Sequence, residues 1–583
     1  MKPVWRIIFA CVGISALFLI PSPFVVEKYT ALYMSVLVCT VGAFVYAYAV
    51  FRKKETPPVL LRPSVLLLSL WLLWALVVSL PSLPVLYVLS GGVSVLYYVL
   101  AVNLFRSFSP DDLRPAFRAV CCMLLFHCSY IVWQLAVAVR EGMPTAYCSG
   151  FFDNVAGPAA SCALLCPVLL YAALREHRVF RRAAVFVVCA VFAGMTVVLQ
   201  SRSAVLALLP ACACAVALYA REVGIRVPRR KVVVAFFAVF LSVFFVCAYL
   251  YKKDSADGRL LVYRCTLSLI ARSPWTGHGV TGFKAGYMDE QAAYFRTHPD
   301  SAFVPLADNL RTPLNDYLLW LVDYGLVGML PLLLLGWHTC VSLRRHPSAD
   351  RLLAAVVLLS AGIMALFSYP MSYTFVQWAV LTALAWIHRN ESPLVKAAPV
   401  FGGSVVLLVA SGLFLGGLLC RYIRSERQWE RALAVAEDKG LEKAVPCYAR
   451  LLPDMHNHPD FLYNYIVLLN GVGSYKQCDS LLSSYVSRYG SDVCLALVEA
   501  DNARHSGDFV RTESYLWKAH YMAPVRFIPL YRLFRLYVAR NDSARALGMA
   551  RMLVEKPVKI PSEEIDWIKD EARGYCSRPH SAN

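Results

Sequence analysis

Charged side chains are scarce in this chain, and their scarcity excludes most soluble folds. Asp, Glu, Lys and Arg make up 16% of its 583 residues, whereas hydrophobic residues make up 58%. Soluble domains average about 25% charged and about 45–50% apolar residues. The apolar excess comes in blocks of about 20 residues, the length that a helix needs to cross a bilayer. The composition predicts an all-α polytopic membrane protein in a lipid bilayer.

Several ligand-binding patterns are also missing. No Cys-x-x-C pair has a second pair or a His pair at zinc spacing. The glycine-rich run PWTGHGVTGF (274–283) lacks the Gly-Lys-Ser/Thr ending of a phosphate-binding loop and is no dinucleotide fingerprint. Neither a metal nor another cofactor is expected. The formal charge of +19 does not predict nucleic-acid binding, because the basic residues lie between apolar blocks rather than on one surface.

Most of the 19 cysteines lie inside apolar blocks, where Cys behaves as a small hydrophobe. Four others lie in the polar tail of the chain: Cys447, Cys478, Cys494 and Cys576. Their spacing fits disulfide pairing and free buried thiols equally well.

Thirteen apolar segments predict membrane spans near 5–20, 31–51, 64–80, 85–105, 117–139, 158–174, 183–200, 204–220, 232–251, 326–343, 352–368, 372–387 and 398–420. The first is interpreted as a retained helix, since no convincing signal-peptide cleavage site follows it. Arg and Lys clusters follow the even-numbered spans, and Lys2 and Arg6 precede the first. The positive-inside rule therefore places the N-terminus in the cytoplasm and the 258–313 loop and the tail on the outer side.

The spans divide the chain into four parts. Residues 1–251 hold nine predicted spans, 252–325 form a large outer loop, 326–420 hold four more spans, and 421–583 have the composition of a soluble domain. In the last part, turn-forming triplets beginning at Gly473, Gly507 and Asn541 recur every 34 residues. That period is typical of stacked helix pairs of the tetratricopeptide type, although a helical domain with coincidental spacing fits as well.

Arginines on the outer side carry the first functional hypothesis. Arg202 joins two apolar blocks, and Arg259, Arg264 and Arg272 follow the ninth span. These side chains could simply snorkel to the interface or solvate a loop. Guanidinium groups also hold phosphate oxygens bidentately, so an anionic lipid head group is the functional alternative.

The outer loop ends in a second distinctive stretch. In the glycine-rich run, His278 is interpreted either as a proton carrier or as an interfacial side chain. Residues 315–328, NDYLLWLVDYGLVG, predict an amphipathic helix in the interface that turns at Gly325 into the tenth span.

Taken in order, these motifs resemble the O-antigen ligase and polymerase family, most strongly over about 195–340. They comprise Ser201-Arg202, Gly258-Arg259, the glycine-rich run, Asn315-Asp316-Tyr317-Leu318 and Tyr324-Gly325-Leu326. The segment Gly150–Asn154 resembles the family's outward Phe-x-Asn element, and the tail resembles repeats appended to some members.

The resemblance implies a multi-pass enzyme of the bacterial inner membrane that takes a glycan from undecaprenyl diphosphate on the periplasmic face. The acceptor is lipid A–core, another glycan or a protein. Arg202 and Arg259 match the arginines that hold the donor diphosphate, and Asn315 and Asp316 match residues that take part in catalysis. Further implied binding residues are Asn154, Arg264, Arg272, His278 and Tyr317.

One position departs from the family pattern. Ligases usually carry a His immediately before the Asn, as the presumed base, whereas this chain has Leu314. Leucine cannot move a proton, so either another group serves or the diphosphate leaving group makes a base less important. The substitutes considered are Asp316, Asp308, His298 and His278.

Lipid A–core ligation is the favoured function, with glycan polymerisation and protein glycosylation as alternatives. The outward repeats favour contact with a protein partner, because stacked helix pairs present a concave surface. A non-catalytic transporter or scaffold for lipid-linked glycans is the alternative of another class.

Overall fold

The computed structural model describes residues 2–17, 29–55, 58–143, 148–225, 253–394 and 400–578. This part of the chain is built from α-helices joined by short turns and contains no strand. The predicted all-α fold class is therefore confirmed.

Up to residue 225, the described residues form eight helices of the membrane bundle: α1 (Lys2–Leu17), α2 (Thr30–Phe51), α3 (Pro63–Ser79), α4 (Val85–Leu104), α5 (Pro110–Glu141), α6 (Ala156–Arg175), α7 (Val179–Val198) and α8 (Arg202–Glu222). Residues 253–315, named here the polar segment, contain α9 (Lys253–Arg272) and α10 (Gly282–Thr297). Four helices complete the bundle: α11 (Asp316–Arg345), α12 (Ala349–Phe367), α13 (Thr374–His388) and α14 (Val400–Lys439).

Ten of these helices are long and apolar enough to cross a membrane within the described residues. They are α2 to α8, α11, α12 and α14. The helices α1 and α13 also coincide with predicted spans but are shorter, with 16 and 15 residues. The predicted span at 232–251 lies outside the described residues.

Small side chains explain why α6 lies at the centre of the bundle. Its sequence is rich in Ala and Cys, and it is the most enclosed of the ten long apolar helices. Ala159, Ala160 and Ala163 are buried where α7, α8 and α12 pack against it. Small residues let helix backbones approach closely, which is the main source of packing energy between helices in lipid.

The helix α14 joins the bundle to the tail without a break. It runs for 40 residues, or about 60 Å at about 1.5 Å per residue, so the boundary expected at Arg421 falls inside one helix. Tyr33 of α2 donates a hydrogen bond of 2.9 Å to buried Glu426 near the middle of α14. The tail is therefore connected to the bundle by one continuous helix.

The tail contains eight helices: α15 (Leu441–Met455), α16 (Pro459–Gly471), α17 (Tyr475–Tyr489), α18 (Val493–His505), α19 (Phe509–Met522), α20 (Ile528–Ala539), α21 (Ser543–Glu555) and α22 (Glu563–Cys576). Every second helix begins 34 residues after its predecessor, at Leu441, Tyr475, Phe509 and Ser543. A residue with positive φ precedes each start: Gly440, Gly473, Gly507 and Asn541. The period read from the sequence thus marks helix pairs, and their assignment to the tetratricopeptide type stays a prediction.

The tail is seated on the polar segment through a shared hydrophobic core. Phe283, Tyr287 and Phe295 of α10 are buried with Val493 and Met522 of the tail. Two salt bridges flank this core, Arg526 to Asp308 at 2.8 Å and Lys518 to Asp289 at 3.0 Å. The apolar contact supplies most of the stability, since partly exposed salt bridges are worth about 1 kcal/mol or less.

Gly490 gives a direct test of this seating. Its φ is +77°, and a Cβ atom there would lie 2.2 Å from the carbonyl oxygen of Ala285 in α10. We expect Gly490→Ala to lower the thermal midpoint of the purified protein and to speed proteolysis between the bundle and the tail. Gly507→Ala is the matched control, because its φ is +78° with no atom within 4 Å. Backbone strain alone costs about 1–3 kcal/mol at Gly490, whose ψ of −179° is one that essentially only glycine adopts. Equal effects of the two substitutions would contradict the seating.

Candidate functional site

A break in α11 organises the polar segment. Gly325 has φ of 63° and ψ of −172°, so a short helix over 316–324 meets the long helix that begins at 326. The turn predicted at Gly325 is confirmed. Breaking a helix leaves backbone N–H and C=O groups without partners, and in a buried setting each must find another.

The glycine-rich run supplies those partners. It lies across the break and exchanges four backbone hydrogen bonds with it: His278 N to Val322 O (2.9 Å), Gly279 N to Asp323 O (2.8 Å), Leu326 N to Pro274 O (2.9 Å) and Val327 N to Trp275 O (3.0 Å). The run therefore acts as a backbone clamp on the broken helix rather than as a cradle for phosphate.

Two glycines make this close approach sterically allowed. A Cβ atom at Gly277 would lie 2.5 Å from the carbonyl oxygen of Asp323, and one at Gly325 would lie 2.3 Å from that of Trp275. Both glycines also have positive φ, which other residues rarely adopt. The Nε2 atom of His278 lies 2.9 Å from the Leu269 carbonyl oxygen and so donates to it, which holds the loop against α9.

Asp323 is a buried carboxylate that sequence reasoning overlooked. Its Oδ1 accepts a hydrogen bond of 3.2 Å from the Phe283 amide at the start of α10. The bond anchors α10 to the broken helix. The signal in the sequence was a carboxylate among the apolar residues of the interfacial helix.

The Asn-Asp-Tyr motif ties α11 to the end of α12. Asn315 donates to the Leu366 carbonyl oxygen at 2.9 Å and accepts from the Leu318 amide at 3.1 Å, which caps α11. A separate bond runs from the Tyr317 hydroxyl to the Gly362 carbonyl oxygen at 3.2 Å.

Asp316, the middle residue of the motif, is almost fully buried. Its Oδ2 accepts a hydrogen bond of 2.9 Å from the Met371 amide in the turn after α12. All three motif side chains are therefore bound to backbone atoms, and their roles in catalysis and binding stay predictions.

Leu314, at the position where the family usually carries His, has a left-handed backbone with φ of +56°. A leucine there carries strain of about 1–2 kcal/mol. Gln200, two residues before Arg202, has φ of +52°. Two of the four non-glycine residues with positive φ in the described chain thus precede predicted site motifs, and strained backbone is often found at functional sites.

Asn154, just before α6, contacts the turn that follows α12, the turn that also holds Asp316. Its side-chain amide donates to the Tyr369 hydroxyl at 2.9 Å, and its Oδ1 accepts from the Ala156 amide at 2.9 Å. Burial raises the pKa of Tyr369, and the nearby Asp153 carboxylate adds to that rise, so the phenol stays protonated. Sequence reasoning missed Tyr369, although the polar Ser368-Tyr369-Pro370 step between two apolar blocks could have indicated it.

Arg202 and Arg259 lie within electrostatic range of each other. Arg202 is the first residue of α8, which packs against α6 and α12. Burial lowers the pKa of Arg259, and the positive charge of Arg202 lowers it further. The Arg259 Nε atom is buried and has no hydrogen-bond partner among the described residues. An anion bound at Arg259 would compensate the cost of burying its guanidinium group.

The other predicted cations are differently placed. Arg272 forms a salt bridge with Glu290, whose other oxygen accepts from Ser268 at 2.9 Å. Arg264 is exposed and its guanidinium lies 4.9 Å from the centre of the Tyr294 ring. Arg264 and Arg272 therefore each have a partner within the polar segment.

Two of the four residues considered as the general base in place of the usual His form contacts outside the Asn-Asp-Tyr motif. Exposed Asp308 binds Arg526 of the tail, and His298 is exposed, stacked on Tyr294. Of the four substitutes, Asp316 is the one bound to the turn that also holds Asn154.

The comparison with protein families agrees with this location. A family model described as O-antigen ligase matches residues 186–333, which include the start of α8, the polar segment and the break in α11. The match supports a membrane glycosyltransferase of the O-antigen ligase and polymerase type, as the sequence motifs indicated. Among curated proteins, none matches the chain.

The clamp is testable with two glycines of one helix. Gly325→Ala should force the Trp275 carbonyl away and lower both the thermal midpoint and the amount of folded protein. Gly336→Ala should leave both unchanged or slightly raised, because nothing lies within 4 Å of its Cβ position and Ala is the better helix former. Fluorescence-detected size exclusion with a temperature ramp measures both variants. A stable, monodisperse Gly325→Ala protein would contradict the clamp.

Proposed function

We propose that this protein transfers a glycan from undecaprenyl diphosphate to an acceptor at the periplasmic face of the bacterial inner membrane. The observation that carries the proposal is the buried Arg259 Nε atom, which has no hydrogen-bond partner among the described residues and which lies, like Arg202, within the region that matches the ligase family. A lipid diphosphate presents several anionic oxygens, and guanidinium groups bind such oxygens bidentately without losing their charge.

In the proposed reaction, the two arginines hold the donor diphosphate through its phosphate oxygens. The acceptor hydroxyl attacks the anomeric carbon, and the bond from that carbon to the diphosphate oxygen breaks. Configuration at this carbon inverts in this single displacement. The negative charge that develops on the leaving diphosphate is stabilised by the preorganised guanidinium groups, and such stabilisation usually supplies the largest part of an enzyme's rate enhancement.

Asp316 is the proposed acceptor of the hydroxyl proton. It has the right chemistry for a general base, and its bond to Met371 fixes it beside the turn that holds Asn154. Asn315 and Tyr317 are proposed to act through it, by holding the start of α11 against α12. This assignment offers a substitute for the His that Leu314 replaces.

Lipid A–core is the proposed acceptor, and another glycan or a protein are the alternatives within this reaction class. The seating of the tail on the polar segment supports a contact between the tail and the acceptor or a protein partner, since the tail lies beside the loops of the site. The non-catalytic alternative is movement of a lipid-linked glycan without transfer.

The arginine pair predicts a specific pattern of activity. In a strain lacking the gene, Arg202→Ala and Arg259→Ala should each reduce glycan transfer at least about 100-fold, the usual cost of removing one stabilising donor. Lys at either position should restore part of it, as a charge without the fork geometry. Arg296→Ala, an exposed change in the same segment, should keep activity. Gels of lipopolysaccharide and of periplasmic glycoproteins provide the readout.

The same gels separate the alternatives. Loss of long-chain lipopolysaccharide with accumulation of lipid-linked polymer identifies ligation, single-unit chains identify polymerisation, and lost protein glycosylation identifies a protein acceptor. Retained transfer in both Ala variants at normal membrane levels would refute the arginine assignment.

The proposed role of Asp316 as the general base can be tested with Asp323, another buried carboxyl group, as the control position. Asp316→Asn keeps an oxygen that accepts from Met371 but removes the base, so transfer should fall about 100-fold or more. Asp323→Asn makes the same change at another buried carboxylate and keeps the acceptor for Phe283, so transfer should remain within a few-fold of the original rate. Initial rates in isolated membranes measure both. Equal rates in the two variants would show that Asp316 is not the base.

A further inference from the structure

Three metal-ligating side chains meet in the bundle away from the site described above. His338 of α11, His388 at the end of α13 and Glu391 just after α13 each offer one ligand atom, and these atoms lie within 4.8 Å of one another. His388 and Glu391 are three residues apart, whereas His338 lies 50 residues before His388, so the three do not form one local motif. From this cluster we propose a binding site for a divalent transition-metal ion, with zinc as the reference ion.

The donor set fits that chemistry. Two imidazoles and one carboxylate are a common ligand set for zinc, with metal–ligand distances of about 2.0–2.2 Å and a remaining position for water. Ligand atoms around such an ion lie about 3.3 Å apart, as these bond lengths require. The rings of His338 and His388 are stacked with their centres 4.9 Å apart, so binding one ion between them requires at least one ring to rotate about its side-chain torsions.

His388 shows the clearest sign of a missing partner. Its side chain is fully buried, and its Nδ1 atom has no hydrogen-bond partner among the described residues. Its Nε2 lies 3.0 Å from the Thr339 hydroxyl, which itself donates to the Leu335 carbonyl oxygen at 2.7 Å. The hydroxyl proton is thus committed, so Nε2 carries the imidazole proton and Nδ1 holds a bare lone pair. Metal-binding histidines are held by the same kind of hydrogen bond through their other nitrogen.

Glu391 is oriented in a comparable way. One of its carboxylate oxygens contacts Nε2 of His338, and the other accepts from the Ser64 hydroxyl at the start of α3. The Glu391 side chain is 8% exposed, and that of His338 is 30% exposed. A bound ion would replace the direct contact between His338 and Glu391.

Three arginines surround the cluster. Buried Arg62, just before α3, donates to the carbonyl oxygens of Val102 and Arg389, and its positive charge interacts with Glu391. Arg389 is neutralised by Asp350 at 2.7 Å, and buried Arg351 directs its guanidinium to the carbonyl oxygens of His346 and Ile387. The bound ion would join α11 to the end of α13 and, through Glu391, to the start of α3. It would therefore stabilise the bundle, independently of the proposed transfer reaction.

The test uses the full-length protein purified in detergent, stripped of metal and titrated with zinc or cobalt. We expect about one ion per chain by elemental analysis, together with a higher thermal midpoint when zinc is present. Cobalt should show the absorption bands of nitrogen and oxygen ligands without sulfur-to-metal charge transfer, which distinguishes this site from the 19 cysteines.

Variants identify the ligands. His388→Ala and Glu391→Gln should each weaken zinc binding at least about 100-fold, since even supporting residues of metal sites contribute roughly 10- to 100-fold. Gln at position 391 keeps an acceptor for Ser64, so that variant tests binding even where His388→Ala folds poorly. His346→Ala, which removes an exposed histidine after α11, should bind as the original does. Unchanged binding in Glu391→Gln, a thiolate signature with cobalt, or no stoichiometric binding would overturn the proposal.

Discussion

The exchange of backbone hydrogen bonds between the glycine-rich run and the broken helix α11 is the constraint on which the rest of the site depends. A helix that stops and restarts inside a protein must satisfy the groups that its break releases. Here the loop from Pro274 to Gly279 satisfies four of them, and it can do so because Gly277 and Gly325 lack a Cβ atom. The same contact fixes the polar segment to the bundle and sets the direction of the short helix that carries Asp316.

The residues of the site differ in what their side chains contact. Asn315, Asp316 and Tyr317 bind the backbone of α12 and the turn that follows it. Arg259 differs from them, because its Nε atom is buried and has no hydrogen-bond partner among the described residues, and its pKa is lowered by burial and further by the charge of Arg202. The tail adds rigidity from the other side, because its helices share the core of α10.

The sequence predicted the helices, the turn at Gly325 and the 34-residue period of the tail, because apolar blocks and turn-forming glycines report local structure directly. It also selected Arg202 and Arg259, since cations beside spans are conspicuous. It did not predict that the glycine-rich run pairs with the helix break, nor the contacts of Asp323 and Tyr369, because those depend on segments that meet only in the folded chain. The cluster of His338, His388 and Glu391 was missed for the same reason, because contacts between distant parts of the chain produce no repeating pattern in the sequence.

The central claim is that the Arg202–Arg259 pair binds the diphosphate of a lipid-linked glycan and releases it after transfer. Its most direct test is the release of undecaprenyl diphosphate from the glycan-charged lipid by the purified protein, followed with and without an acceptor glycolipid. The account predicts release that requires the acceptor, equals the amount of glycan transferred and is lost in Arg259→Ala. Intact donor in the presence of every acceptor class, or release that is unchanged in Arg259→Ala, would contradict it.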